Sequence, residues 1–216
     1  MLIMEAVLET YDVGDFTLWP VAAPRPDRLL PLSGRMSPEE VGAAMAVLAA
    51  YHCDDEADDV PDAEADAEAD GGRAAVRALR HLLSVDVVTA PGGLALTDTA
   101  AGITIAPGCC FGLENWRDWS GLGQDQEVWL GHDTVARVER LGDLVRVWPD
   151  TTPPAPAPIA LRPAELTELL GGVREQLTAF LSLAHAWTRD HAPDLAPALV
   201  TKLAEDLNVR GPLTRA

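Results

Sequence analysis

The sequence predicts an α+β fold, with a mainly antiparallel sheet, helices packed on one face and a C-terminal helical extension. Three observations carry this expectation. One hairpin can be written out residue by residue from its turn, β-branched clusters alternate with amphipathic helical segments through the first two thirds of the chain, and the last third is almost entirely helical in spacing.

Taken in order, "AVLETYDV" and "DFTLWPVA" read as two short strands, and Pro24, Pro26 and Pro31 then oppose regular pairing. "SPEE" opens a helix: Ser37 caps it, Pro38 fits the first helical position and Glu40 closes a capping box. Val41, Met45, Leu48 and His52 follow as an apolar stripe on one face. Residues 54–72 read as a flexible acidic loop, because "DDEADDVPDAEADAEAD" carries ten carboxylates and no basic residue. The offsets and glycine of a calcium loop are absent from it.

"RAAVRALRHLLS" is a second helix, with Val76, Leu79 and Leu83 on one side and Arg73, Arg77 and Arg80 on another. In 85–108 the β-branched clusters, separated by Gly92-Gly93 and Ala101-Gly102, read as short antiparallel strands. For "VARVERLGDLVRVW", a two-residue II′ turn at Gly142-Asp143 sets the register. Leu141 then faces Leu144, Arg140 faces Val145, Glu139 faces Arg146 and Arg137 faces Trp148. Val138, Val145 and Val147 share the opposite face.

The expected organisation is a core over 1–150, a Pro-rich connector over 151–160 and a helical segment over 161–216 packed on that core. In this last segment Leu166, Leu170, Val173, Leu177, Phe180, Ala184 and Trp187 form the seam of one long helix, interrupted in composition by Gly171-Gly172. The seam either packs on the sheet or serves homo-oligomerisation through Leu166–Trp187. A final helix carries Leu199, Leu203 and Leu207.

Composition narrows the function classes. No apolar run reaches the roughly 18 residues of a membrane span, and the acidic start lacks the basic region of a secretory signal. Three cysteines make a disulfide framework improbable and point to a reducing cytoplasm. A net charge of −18 disfavours nucleic-acid backbones, which are bound by releasing counterions to basic residues, and favours a basic protein partner.

Chemistry concentrates in "PGCCFGLENWRDW", Pro107 to Trp119. Strand-like residues precede it and helical spacing follows, so Cys109 and Cys110 fall at a corner. Trp116 and Trp119, three apart, share a face that can bury; Glu114 and Arg117 have pairing distance on the same turn. These four are the candidate binding residues. Three readings of the thiols stand side by side. They are small buried apolar groups, or a thiolate activated by His132 and Asp133 of "GHD", or, with His132, ligands of a small zinc site, for which adjacent cysteines are a poor geometry. No cofactor motif is present: "APGGLAL" lacks the length and the Lys of a phosphate loop.

"PGCCFGLENWRDW", together with "WLGHD" and "GDLVRVWPD", resembles a pattern in uncharacterised proteins of GC-rich bacteria. The order from about Leu94 to Leu181, which is sheet, "GD" hairpin ending in Trp, Pro-rich linker and helix, is similar to SUKH-type immunity proteins. The resemblance implies toxin binding and neutralisation and carries over no functional residue. The expectation is therefore a non-enzymatic acidic binding module, immunity-like, with a basic protein partner; the rival is an enzyme acting through Cys109, Cys110 and His132.

Overall fold

The computed structural model describes residues 1–11, 13, 16–52, 67–108, 111–123, 131, 137–149 and 157–213. Strand β1 (Leu2–Glu9) lies between β2 (Leu29–Pro31) and β3 (Gly92–Asp98), with β4 (Ile103–Ile105) beyond β3. A second sheet has the order β5 (Arg137–Leu141), β6 (Leu144–Trp148), β7 (Ile159–Leu161). Every pairing among the described strands is antiparallel. Helices α1 (Pro38–His52), α2 (Ala67–Ser84), α3 (Pro163–His191) and α4 (Ala196–Asp206), with a 3-10 helix (Leu113–Gly123), complete an α+β fold with a helical C-terminal segment, as the sequence predicts.

The hairpin register agrees pair for pair, from Leu141 opposite Leu144 to Arg137 opposite Trp148. Gly142 has φ +63°, and Asp143 is not among the positive-φ residues, as a II′ turn requires. Val145 and Val147 are buried and Val138 packs against the core, so the predicted face is the inner one. The Ser37–Glu40 capping box is also present: the Glu40 N–H donates to Ser37 Oγ at 3.2 Å and the Ser37 N–H to Glu40 Oε2 at 2.7 Å.

Several expectations change. Residues 16–22 form no strand; their polar groups go to α1 instead. The Ala22 N–H donates to the Glu39 carbonyl, and Trp19 Nε1 donates to the Gly42 carbonyl at 2.8 Å. A side chain at Gly42 would collide with the Pro20 carbonyl, so the glycine permits this strap to lie directly on the helix. The strand partner of β1 is instead Leu29–Pro31, with the proline at its end, where an edge strand tolerates it.

Helix α1 is buried continuously from Val41 to Ala49 rather than along one stripe, because small residues fill the intervening positions and the helix is enclosed by α2, α3, β1 and the strap. Helix α2 begins at Ala67, within the stretch expected to be loop. Its most buried positions are Ala75, Ala78, Leu79 and Leu82; the predicted Val76 and Leu83 pack partly buried against the same core, and Arg73, Arg77 and Arg80 are exposed as expected. Gly92 and Gly93 begin β3 rather than separating strands. A Cβ on Gly92 would stand 2.1 Å from the Val7 carbonyl oxygen, so close strand approach requires the glycine.

Helix α3 is unbroken over 29 residues, about 43 Å at 1.5 Å per residue. All seven seam residues are buried in this chain's own core. Of the two readings of the Leu166–Trp187 seam, packing within the chain is the one observed, against β1, α1, α4 and the 3-10 helix. Gln176 fastens α3 to the sheet. Its amide accepts from the Ala6 N–H at 3.0 Å and donates to the Met4 carbonyl at 2.9 Å, standing in for a strand where β2 is too short. Ile159 and Ala160, expected in the connector, are ladder residues of β7.

Candidate functional site

The corner after Pro107 forms as a 3-10 helix. Side chains three residues apart eclipse in this geometry, and Leu113, Trp116, Trp119 and Leu122 are accordingly all buried. The spacing L-x-x-W-x-x-W-x-x-L is legible in the sequence as a strict period of three. Trp116 also satisfies its indole inside, Nε1 donating to the Leu207 carbonyl at 2.8 Å.

Glu114 and Arg117 do not pair with each other. Glu114 Oε2 accepts from the Ala90 N–H at 3.0 Å, and Asn115 Nδ2 donates to its other oxygen. Arg117 donates to the backbone carbonyls of Asn208, Arg210, Gly211 and Pro212. Its guanidinium lies 5.0 Å from the Trp116 ring. Burial, with the Arg174 charge, lowers its pKa from the ordinary arginine value. Asn208, at φ +52°, returns a bond from Nδ2 to the Glu114 carbonyl. The four candidate binding residues thus engage this chain's own C-terminal segment and core.

Cys109, Cys110, His132 and Asp133, the candidate thiolate or zinc set, lie outside the described residues, as do Cys53 and most of the acidic run. One contact bears on the set. Gly131, at φ +103°, packs against the Gly108 backbone so closely that a Cβ there would stand 2.6 Å from the Gly108 carbonyl carbon. The segments that continue into Cys109 and His132 therefore meet at their glycines. Among the described residues no three His, Cys, Asp or Glu side chains cluster as metal ligands would.

A histidine node lies beside the corner. The Thr89 N–H donates to His52 Nε2 at 2.9 Å, which requires that nitrogen to be unprotonated. Nε2 also stands 3.3 Å from the Thr89 carbonyl; we favour the shorter contact, since burial lowers the His52 pKa, an effect His81 and Lys202 reinforce and the Thr89 carbonyl and Glu114 oppose. His81 Nε2 donates to the His52 carbonyl at 2.7 Å, tying the end of α2 to the end of α1. These histidines join elements.

Two hollows remain. An open cleft of about 620 Å³ runs along α4, and its one cation among the described residues is committed: Lys202 bonds Asp206 at 3.0 Å and the Asp86 carbonyl at 3.1 Å, while Asp206 also accepts from the Val88 N–H. The second, of about 190 Å³, is lined by Glu9, Tyr11, Val13, Val47, Tyr51 and Pro91. Val13 and Val47 are buried, whereas Tyr11 and Tyr51 are 64% and 57% exposed. Burial raises the Glu9 pKa above its ordinary value. Sequence reasoning missed this site, although its two aromatics are the chain's only tyrosines.

No helix among the described residues is long and apolar enough to cross a membrane. No family model, curated protein or solved structure matches the chain.

Proposed function

We propose that this chain is a non-enzymatic, acidic binding protein whose partner is a basic protein, acting in the manner of an immunity protein that neutralises its target. The observation that carries the reading is the charge: 34 acidic against 16 basic residues, with ten of the carboxylates within 54–70. Such a field steers a basic partner toward the surface and speeds encounter. The closure of the Trp116 corner on its own chain supports it further, since the most reactive-looking stretch has a structural occupation.

The test is capture of a basic protein by the full chain from extracts of the cells that make it, at rising ionic strength. Retention should fall steeply with salt, and fall again when the carboxylates of 54–66 are replaced by amides. Retention of the same partner unchanged by both treatments excludes the electrostatic reading.

The Gly108–Gly131 contact favours one second reading, a cysteine site in which His132 activates Cys109 or Cys110. An activated thiol reacts quickly with a thiol reagent at neutral pH and slows in His132→Ala. Slow modification, indifferent to that substitution, excludes it.

A further inference from the structure

We propose that the hollow between Glu9, Tyr11 and Tyr51 receives an arginine side chain of the basic partner; this rests on the binding-protein reading above and gives it a specific contact.

The hollow matches a guanidinium in each of its parts. At about 190 Å³ it is smaller than the roughly 300–1,000 Å³ of small-molecule sites and suits one side chain. Buried Val13 and Val47, with Pro91, offer an apolar surface for the methylene stem. Tyr11 and Tyr51 offer ring faces, to which a cation within about 6 Å is attracted. Glu9 offers a carboxylate, which a planar guanidinium meets through two parallel hydrogen bonds and an ammonium does not.

Tyr51 meets the His52 ring edge to face at 5.4 Å, but the carboxylate is unspent. Among the described residues Glu9 has no side-chain hydrogen bond or ion pair, although it is partly buried and its backbone is fixed by the bond from its N–H to the Pro91 carbonyl. A half-buried carboxylate without a partner carries a desolvation cost that an entering cation offsets. Among the described residues the strongly exposed large apolar side chains are Met1, Tyr11, Tyr51, Val87 and Leu141, so the exposed tyrosines both fall at this one hollow. In the sequence, Tyr11 is followed by Asp12, and Tyr51 precedes the acidic run by three residues. A basic surface drawn toward that run is drawn to a segment that continues from the hollow's own lining.

The test follows backbone amide resonances of the full chain titrated at neutral pH and low salt with Nα-acetylarginine amide, Nα-acetyllysine amide and tetramethylammonium. We expect saturable shifts centred on Glu9, Tyr11, Val13, Val47 and Tyr51, strongest for the arginine compound. Glu9→Gln should weaken it by about tenfold, the order expected for a lost charge-assisted bond. Tyr51→Ala, which removes an exposed ring, provides a second variant, and thermal midpoints close to or above that of wild type confirm that both fold. Absence of saturable shifts at these residues, equal affinity in both variants, or preference for lysine or tetramethylammonium overturns the proposal. So does a captured basic protein that needs the 54–66 carboxylates but binds Glu9→Gln as well as wild type; that result leaves the binding-protein reading standing. Arginine amide bound in the hollow with no basic protein captured removes the binding-protein reading, and with it the assignment of the hollow to a partner's arginine.

Discussion

The Trp116 corner and the Glu9 hollow contain similar chemistry, aromatic rings beside a carboxylate, and differ in what satisfies it. In the corner three of the four candidates find polar partners in the same chain, and the fourth, Trp119, is buried in the core: Glu114 takes a backbone amide, Arg117 takes carbonyls from Asn208 to Pro212, and the Trp116 indole takes Leu207. In the hollow, both tyrosines are largely exposed and the carboxylate lacks a partner among the described residues. Chemical richness in a sequence is thus no guide to function by itself. Groups already matched within the chain hold the fold, and those left unmatched at a surface are available to something else.

The largest test of this contrast is Trp116→Ala, expected to cost about 3–5 kcal/mol in denaturant unfolding, as for a fully buried tryptophan. Tyr11→Ala and Tyr51→Ala should stay within about 0.5 kcal/mol, as surface changes do. A Trp116 cost under about 1 kcal/mol would erase the distinction.

Arg117→Ala comes next, at about 1–2 kcal/mol for its charge-assisted bonds to carbonyls. Its signature is local: amide exchange across 208–213 should accelerate while β1 and β3 keep their protection. Arg117→Lys should recover little, since one ammonium cannot span carbonyls that a fork reaches. Unaltered exchange in the C-terminal segment would show that the clamp holds nothing.

His52 links the two regions, following Tyr51 of the hollow and receiving the amide of Thr89, next to the Ala90 that Glu114 binds. Its pKa is lowered from 6.5, so below that value the unfolded chain takes up the proton first. Its contribution to stability is present above 6.5 and is lost as pH falls through the lowered folded value. His52→Gln, whose amide oxygen can accept the same bond without titrating, should flatten the thermal midpoint over this window. An unchanged slope between wild type and variant would show that His52 is not the group responsible.

The smallest expected effect has the opposite sign. The Glu9 pKa is raised from 4.5, so the folded state disfavours its ionised form. The associated stability is present below 4.5 and lost as pH rises through the raised value. Glu9→Gln should therefore be slightly more stable than wild type at neutral pH, a difference that closes on acidification. A site residue whose removal stabilises the fold sharpens the contrast with Trp116; a lower midpoint for Glu9→Gln at neutral pH would place Glu9 among the structural residues.

The features legible in the sequence were those with local causes. A II′ turn fixes the hairpin register because side chains alternate with period two, and Gly142 supplies the needed φ. Ser37 and Glu40 lie three residues apart and cap their own helix, and the α3 seam follows from helical periodicity across 29 residues. The period of three in Leu113, Trp116, Trp119 and Leu122 was equally present, yet its first steps fit an ordinary helical turn as well as a 3-10 helix.

What the sequence alone determined is therefore the class of fold, the hairpin register, the α3 seam and the acidity, each set by neighbours along the chain. Tertiary structure decided the rest. Whether residues 16–22 pair as a strand or strap α1 depends on where Gly42 stands, and the end of β1 is completed by Gln176, 170 residues from Ala6. Arg117 reaches Asn208 across 91 residues, so its choice of carbonyls over Glu114 could not be read from their spacing. The hollow assembles residues from 9 to 91, and its significance is the absence of any internal match for Glu9 among the described residues. Periodicity encodes which face of an element is apolar; which polar groups remain unpaired is fixed only when distant segments have taken their partners.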